Sequence, residues 1–238
     1  MAYTRPASPI RFTVGVAFIA WLLAYVTALP LQAAAIAITG YSGVDPDTWP
    51  MAMTVLSVVL LWIPFVVALS VVSSRWGSGR FGDDYRVRFR VVDLVGIPIG
   101  VASQLLLLPL IYVPLRSIWP ETFSSEDVEE RARELWDRAE GIWVVALVIV
   151  VVIGAPLIEE LVYRGLILQS LQGRVNEVLA LVVSSLWFAA IHLQPVELPG
   201  LFAFALVLGV CYLVTGRLAS PILAHAAFNA VGLILASR

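Results

Sequence analysis

Long apolar runs constrain the fold of this chain more than any other feature of its sequence. Residues 51–72 contain no charged side chain, and neither do residues 144–153. About 20 apolar residues are enough for a helix to cross the hydrocarbon of a bilayer. Hydrophobic residues make up 60% of the 238 positions and charged residues only 13%. The mean hydropathy of +0.91 is far above that of globular proteins. The sequence therefore predicts an integral membrane protein.

We expect an all-α fold, a polytopic membrane helix bundle of about seven or eight spans with bent or broken helices. The clearest apolar spans are 10–38, 51–72, 93–119, 141–170, 178–193, 201–215 and 221–236. Prolines inside several of them predict the bends. A cleaved signal peptide is the competing interpretation of the first span. We expect one integral membrane domain over 1–238, with the catalytic helices in 142–236. Residues 120–140, which are rich in acidic side chains, predict an amphipathic charged helix outside the hydrocarbon.

The distribution of charge predicts the orientation of the chain. Five arginines lie within residues 73–90, and counting spans places Arg174 and Arg217 on the same side of the membrane. Short loops rich in arginine remain in the cytoplasm. We therefore expect a cytoplasmic N-terminus, in the inner (plasma) membrane of a bacterium. The net charge of −2 and the lack of a basic run with interleaved aromatics argue against a nucleic-acid partner. Membrane lipid is the partner that composition predicts.

Three charged residues interrupt the apolar stretch 155–168, namely Glu159, Glu160 and Arg164. Charge inside a membrane span is costly and by default functional. Glu160 and Arg164 are four residues apart on a helix, so they share a face and can pair. Glu159 is rotated by about 100° and lacks that partner, so it is the candidate for general acid or base chemistry. The alternative is that all three form a buried ionic cluster that only joins helices.

The two histidines of the chain, His192 and His225, both fall in apolar spans. A single buried histidine is more often a core residue than a catalyst, but burying two histidines and Glu159 on three helices without a shared role is expensive. Asn229 lies one helical turn after His225, so an imidazole and a carboxamide share a face. Such groups can hold an oxyanion. Phe188 precedes His192 by one turn, and it either fixes that ring or simply packs between helices.

Together these residues resemble the signature of the CAAX prenyl endopeptidase and bacteriocin-processing (CPBP, or Abi) intramembrane proteases. That signature reads EExxxR, FxxxH and HxxxN or HxxxD on successive helices. Here EELVYR begins at Glu159, FAAIH begins at Phe188 and HAAFN begins at His225. Each motif alone is weak, whereas the three in order are fairly specific. The resemblance covers about residues 154–231.

The resemblance implies an intramembrane endopeptidase. Glu159 and His192 would activate the attacking water, and His225 and Asn229 would stabilise the tetrahedral oxyanion. Glu160 and Arg164 would support them. No cofactor is favoured, but Glu159, His192 and His225 also form a His₂Glu set that could bind zinc. A zinc-dependent intramembrane metalloprotease is therefore the first alternative. The substrate would be a peptide or protein, and related eukaryotic enzymes act on lipidated tails.

Two further classes of function compete with the enzyme. One is a non-catalytic membrane binding or immunity protein that uses the same helices as a scaffold. A scaffold has no need for buried ionisable groups, which argues against it. The other is a proton-coupled transporter, in which carboxylates and histidines relay protons. The sequence lacks the inverted repeat and paired broken helices typical of such transporters.

Overall fold

The computed structural model describes residues 12–124 and 132–238, which form helices joined by short loops. Six of the helices in this part of the chain are long and apolar enough to cross a membrane, and Glu177–Ala190 is a shorter apolar helix. The predicted helical membrane bundle is thereby confirmed. In chain order the helices are α1 (Val14–Ile38), α2 (Met51–Trp76), α3 (Phe81–Asp84), α4 (Val91–Ile118), α5 (Ile142–Leu171), α6 (Glu177–Ala190), α7 (Leu198–Thr215) and α8 (Ala219–Ala236).

Local sequence signals fix several helix ends. The Thr13 hydroxyl accepts a hydrogen bond from the Val16 amide at the start of α1, and Asn176 does the same for Leu179 at the start of α6. Both side chains satisfy amides that have no partner within the helix. At the C-terminal end of α7, Gly216 adopts φ 67°, a left-handed conformation that glycine takes without steric cost.

The helices run alternately between two ends of the bundle. We call the first the arginine end, formed by residues 77–90, 172–176 and 216–218. The second is the acidic end, formed by residues 39–50 and the described parts of 119–141. Phe12, just before α1, stacks on Tyr85 at the arginine end with ring centroids 5.4 Å apart. At the acidic end Met51, Ala139 and Leu233 belong to one buried cluster. The cellular side of each end remains a prediction.

The predicted fifth span is shorter than expected. Helix α6 has 14 residues and ends at Ala190, which corresponds to about 21 Å of rise against roughly 30 Å of hydrocarbon. Helix α6 alone is therefore too short to cross the hydrocarbon, and His192 lies in the turn that follows it. Of the predicted charged helix over 120–140, residues 132–137 are helical, while 125–131 lie outside the described residues. The predicted start of the first span at residue 10 lies outside them as well.

Two of the long helices contain π-helical turns next to a proline. In α4 the turn is Ser103–Leu107, followed by Pro109. In α5 the turn Ile149–Gly154 is followed by Pro156. Proline lacks the amide that would bond the carbonyl four residues earlier, and that carbonyl lies in the π turn in both cases. Wider turns of this kind relieve the missing bond. Near these two prolines the helical geometry changes, whereas Pro30 and Pro64 lie within continuous α-helices.

Helices α4 and α8 cross closely because small residues face each other. Gly96 and Gly100 form a GxxxG pattern, and a Cβ added to Gly100 would overlap the carbonyl oxygen of Ala224. A Cβ on Gly96 would overlap the carbonyl oxygen of Ser220 in the same way. Apolar lipid gives helices no hydrophobic reason to associate, so close backbone packing takes that role. This crossing sets the position of α8, which carries His225.

We expect Gly100→Ala to destabilise the protein, because the new methyl group must push α8 away from α4. Overpacking of a well-packed site costs about 1–3 kcal/mol. The measurement is the thermal unfolding of the detergent-purified protein, and the variant should unfold at a lower temperature. Gly15→Ala is the matched control, since its added Cβ would lie 3.9 Å from its nearest neighbour, the Thr13 hydroxyl. Equal losses of unfolding temperature in the two variants would contradict the close packing of α4 against α8.

Candidate active site

Helix α5 carries a buried ion pair at the centre of the bundle. The Arg164 Nη1 atom donates to Glu160 Oε1 at 2.9 Å, and the two side chains are 2% and 0% exposed. The second guanidinium nitrogen donates to the Ala205 carbonyl of α7 at 2.8 Å. The guanidinium also lies over the Phe188 ring, 4.9 Å from its centroid. The spacing of four residues predicted this pair, and the structure places it where three helices meet.

His225 of α8 lies between the two glutamates. Its Nδ1 is 2.9 Å from Glu160 Oε1, and its Nε2 is 3.8 Å from Glu159 Oε2. The Glu160 carboxylate already accepts a bond from Arg164, and an ionised carboxylate can only accept. Nδ1 of His225 must therefore carry a proton that it donates to Glu160. This fixes the orientation of the ring and leaves Nε2 facing Glu159.

His192 is fixed in a different way. Its Nδ1 lies 2.7 Å from the carbonyl oxygen of Phe188, which can only accept a hydrogen bond, so Nδ1 carries the proton and Nε2 is free. The bond also satisfies a carbonyl in the last turn of α6. Leu193 follows with φ 54°, a conformation rare for leucine, and turns the chain back towards α7.

Glu159 and His192 line the same cavity, which has a volume of about 330 Å³. The Glu159 side chain is 26% exposed, whereas that of Glu160 is fully buried. The rest of the wall is largely apolar or aromatic and includes Tyr25, Trp62, Phe65, Val162 and Tyr163. The structure thus separates adjacent glutamates as the sequence predicted: one is paired inside the bundle and the other reaches a cavity.

Asn229 lies apart from this cavity. Its Nδ2 donates to the Val151 carbonyl of α5 at 2.7 Å, and it lines a second cavity of about 260 Å³ together with Gln104 and Phe228. The predicted face shared by His225 and Asn229 exists on α8. However, the second residue points to a neighbouring space, and its predicted role as an oxyanion donor remains a prediction.

Several cavity residues were missed from the sequence. Tyr163 follows Glu159 by four residues and shares its face on α5, so helical spacing could have indicated it. Tyr25 and Trp62 come from α1 and α2, where no motif distinguishes them from other aromatic residues. A Cβ on Gly154 would overlap the Trp62 ring, so this glycine makes room for the indole beside the cavity.

Fold and site together define a class of protein: an integral membrane protein whose helices bury an acid, guanidinium and imidazole cluster next to a cavity. Residues 141–231, from α5 through most of α8, match the family model described as type II CAAX prenyl endopeptidase Rce1-like. This part of the chain is thus similar to the CAAX protease family, and the match confirms the resemblance inferred from the three motifs. No curated protein and no solved structure matches the chain.

The family match carries several general conclusions. It indicates a CAAX-type protease that works in the membrane, so membrane lipid and a peptide or protein substrate are its partners. The four catalytic candidates and the three supporting residues all lie within the matched segment. Individual roles for these residues do not follow from the match.

We expect Arg164→Ala to lower the yield and thermal stability of the purified protein. Removing one partner of a buried ion pair leaves the other charge uncompensated, at a cost of about 3–5 kcal/mol. Arg88→Ala is the control, because Arg88 is 65% exposed in its ion pair with Asp83 and such pairs contribute little. The measurement is the yield and unfolding temperature of both variants and the parent, determined side by side. Wild-type stability with lost cleavage would give Arg164 a direct catalytic role instead.

Proposed function

We propose that the protein hydrolyses a peptide bond inside the membrane, using a water molecule activated by Glu159 and His192. The observation that carries this proposal is that both side chains line one cavity of about 330 Å³. His192 donates from Nδ1 to a backbone carbonyl, so its Nε2 lone pair is available to accept a proton. The largely apolar walls of the cavity make its surroundings less polar than bulk water, which strengthens polar interactions within it.

The proposed chemistry is a hydrolysis in which all atoms balance. The water oxygen forms a bond to the scissile carbonyl carbon while Glu159 or His192 takes one of its protons. The C–N bond of the resulting tetrahedral intermediate then breaks, and the same proton passes to the leaving nitrogen. The products are a free carboxyl group and a free amine.

His225 is proposed as the main donor to the oxyanion. Since its Nδ1 proton is held by Glu160, Nε2 can donate only if the ring is protonated. The charged side chains that surround the ring are Glu159, Glu160 and Arg164. The 3.8 Å from Nε2 to Glu159 is too long for a direct hydrogen bond.

Asn229 is proposed first as a link between α8 and α5. One amide proton is used by the Val151 carbonyl, and a carboxamide has a second proton that could still reach an oxyanion. The supporting roles proposed for Glu160, Arg164 and Phe188 are to hold His225 and His192 in orientation. The catalytic helices would then be those within 142–236.

The proposal also includes the kind of substrate and the location of the protein. A lipidated peptide fits a protease that its family and fold place in the membrane. Loops at the arginine end carry six of the 15 basic residues, which favours a cytoplasmic arginine end and N-terminus in a bacterial inner membrane. Labelling of single cysteines from either face of sealed vesicles tests that orientation.

A zinc-dependent mechanism is the alternative. Free Nε2 atoms on His192 and His225, together with the Glu159 carboxylate, are the donor types that zinc hydrolases use. Within residues 12–124 and 132–238, no three His, Cys, Asp or Glu side chains are arranged to hold a metal ion. We therefore derive no step through a metal and propose the metal-free reaction.

We expect Glu159→Gln and His192→Gln to reduce cleavage by roughly 10²–10⁴-fold, the contribution typical of a positioned acid or base. His225→Gln should lose about 10²–10³-fold, as for removal of an oxyanion donor. Quantitative mass spectrometry of membrane fractions from cells that produce each variant measures accumulated substrate and missing product. A farnesylated CAAX peptide with a fluorescent reporter provides a second assay on purified protein.

The control for these losses is Glu177→Gln, which changes an exposed glutamate outside all the cavities described. It should cleave at the parental rate, and every variant should insert and unfold like the parent. Parental cleavage by Glu159→Gln or His192→Gln would end the catalytic assignment.

The metal question gives a separate prediction. Protein purified without added metal and treated with a chelator should retain its cleavage rate, because carboxylate and imidazole suffice to activate water in the proposed reaction. Elemental analysis should find no stoichiometric zinc. Loss of activity on chelation, restored by zinc, would replace the proposed mechanism with the metalloprotease while leaving the three residues at the site.

A further inference from the structure

Glu159 marks a boundary along α5 between a sealed and an accessible half. Towards the arginine end, every residue from 160 to 170 is buried. Towards the acidic end, residues 150–155 are all partly or fully exposed. A π-helical geometry covers Leu161–Leu168 in the sealed half. Exposure at the surface of the bundle therefore differs between the two halves of the same helix, and Glu159 lies near the point where it changes.

The seal at the arginine end is built by the chain between α2 and α4. Tyr85 is fully buried and its hydroxyl donates to the Leu69 carbonyl at 2.7 Å. Gln169 of α5 donates to the Asp84 carbonyl at 2.9 Å and accepts from the Tyr212 hydroxyl of α7 at 2.9 Å. These bonds tie one segment to α2, α5 and α7. Burial also raises the pKa of Tyr85, so the phenol keeps the proton that it donates.

The accessible half meets a series of adjoining cavities. The cavity of Glu159 and His192 shares Val58, Val150 and Val151 with an outer cavity of about 260 Å³. This outer cavity reaches the acidic end, where Asp47, Trp49, Glu134 and Arg138 line it. Val151 also lines the cavity of Asn229. These three valines, which we call the neck, therefore lie between the candidate active site and the outer cavity.

The outer cavity also offers polar groups to a ligand. Thr54 Oγ1, Ser57 Oγ and Arg138 Nε are buried and have no hydrogen-bond partner among the described residues. All three residues line this cavity. Buried polar atoms normally have partners, and the carbonyl and amide groups of an extended peptide would supply them. The neck beyond is apolar, as is suitable for side chains of a peptide.

We propose that the substrate peptide enters from the acidic end, through the outer cavity and the valine neck, while the arginine end stays closed. This inference rests on the proposed function and adds the substrate class: a membrane-anchored peptide whose cleavage site lies in the half of the bilayer next to the acidic end. A peptide presented only at the arginine face is excluded, because the Tyr85 segment and the buried half of α5 block its path.

Accessibility of the site to a small anionic, membrane-impermeant thiosulfonate tests the proposal directly. The native thiol is removed by Cys211→Ala, and Glu159→Cys is introduced as the probe. Ser42→Cys and Ser74→Cys, both at exposed positions, mark the acidic and arginine ends. Sealed vesicles are treated from one face at a time. The Glu159→Cys probe should react from the face that labels Ser42→Cys. Reaction from the Ser74→Cys face, or from neither face, overturns the proposal.

A second experiment uses the wild-type active site and asks whether the neck carries substrate. Val151→Trp narrows the neck, whereas Ile153→Trp places the same side chain on a position that is 59% exposed and lines none of the described cavities. We expect Val151→Trp to lower kcat/KM at least tenfold, chiefly through KM, and Ile153→Trp to retain parental cleavage. Equal activity of the two variants would contradict entry through the neck.

Failure of this inference and failure of the proposed function can be told apart. Thiol labelling requires no catalysis, so the accessible end is found even if Glu159 proves not to be catalytic. Conversely, if Glu159→Gln abolishes cleavage while labelling comes from the Ser74→Cys face, the protease assignment stands and the direction of entry is wrong.

Discussion

The buried contact that joins Glu160, Arg164 and His225 is the interaction on which the rest of the site depends. It connects α5 to α8 through the imidazole and α5 to α7 through the Ala205 carbonyl. A charge in hydrocarbon must have partners, so the ion pair is kept only if these helices stay assembled around it. The close glycine crossing of α4 and α8 then determines where His225 can stand. The packing of the helices therefore determines the geometry of the candidate active site.

The sequence predicted the parts of this arrangement that follow from local periodicity. Apolar runs indicated the spans, and the spacing of four residues indicated the Glu160–Arg164 pair. The different environments of Glu159 and Glu160 also followed, because adjacent residues on a helix face different directions. Family motifs supplied what periodicity could not, namely that His192 and His225 belong to the same site as Glu159.

Other features could not be predicted because they depend on contacts between distant elements. Nothing near Tyr25 or Trp62 in the sequence indicates that α1 and α2 provide a wall of the cavity. Helical spacing placed Asn229 beside His225, but the carbonyl that binds its amide belongs to Val151, far away in the chain. Likewise Tyr85, which helps to seal the arginine end, lies in a stretch whose arginines indicated only a cytoplasmic loop.

The short helix α6 shows how a membrane bundle can present a histidine at a helix end. Hydrocarbon cannot satisfy the carbonyls exposed at such an end. His192 satisfies the Phe188 carbonyl through its own ring. Further along the turn, the Tyr112 hydroxyl donates to the Val196 carbonyl and accepts from the Gly200 amide. The hydrogen bond that makes the break tolerable is thus the one that holds the Nδ1 proton of His192 and orients its Nε2. Stability of the turn and orientation of the ring consequently have the same physical origin.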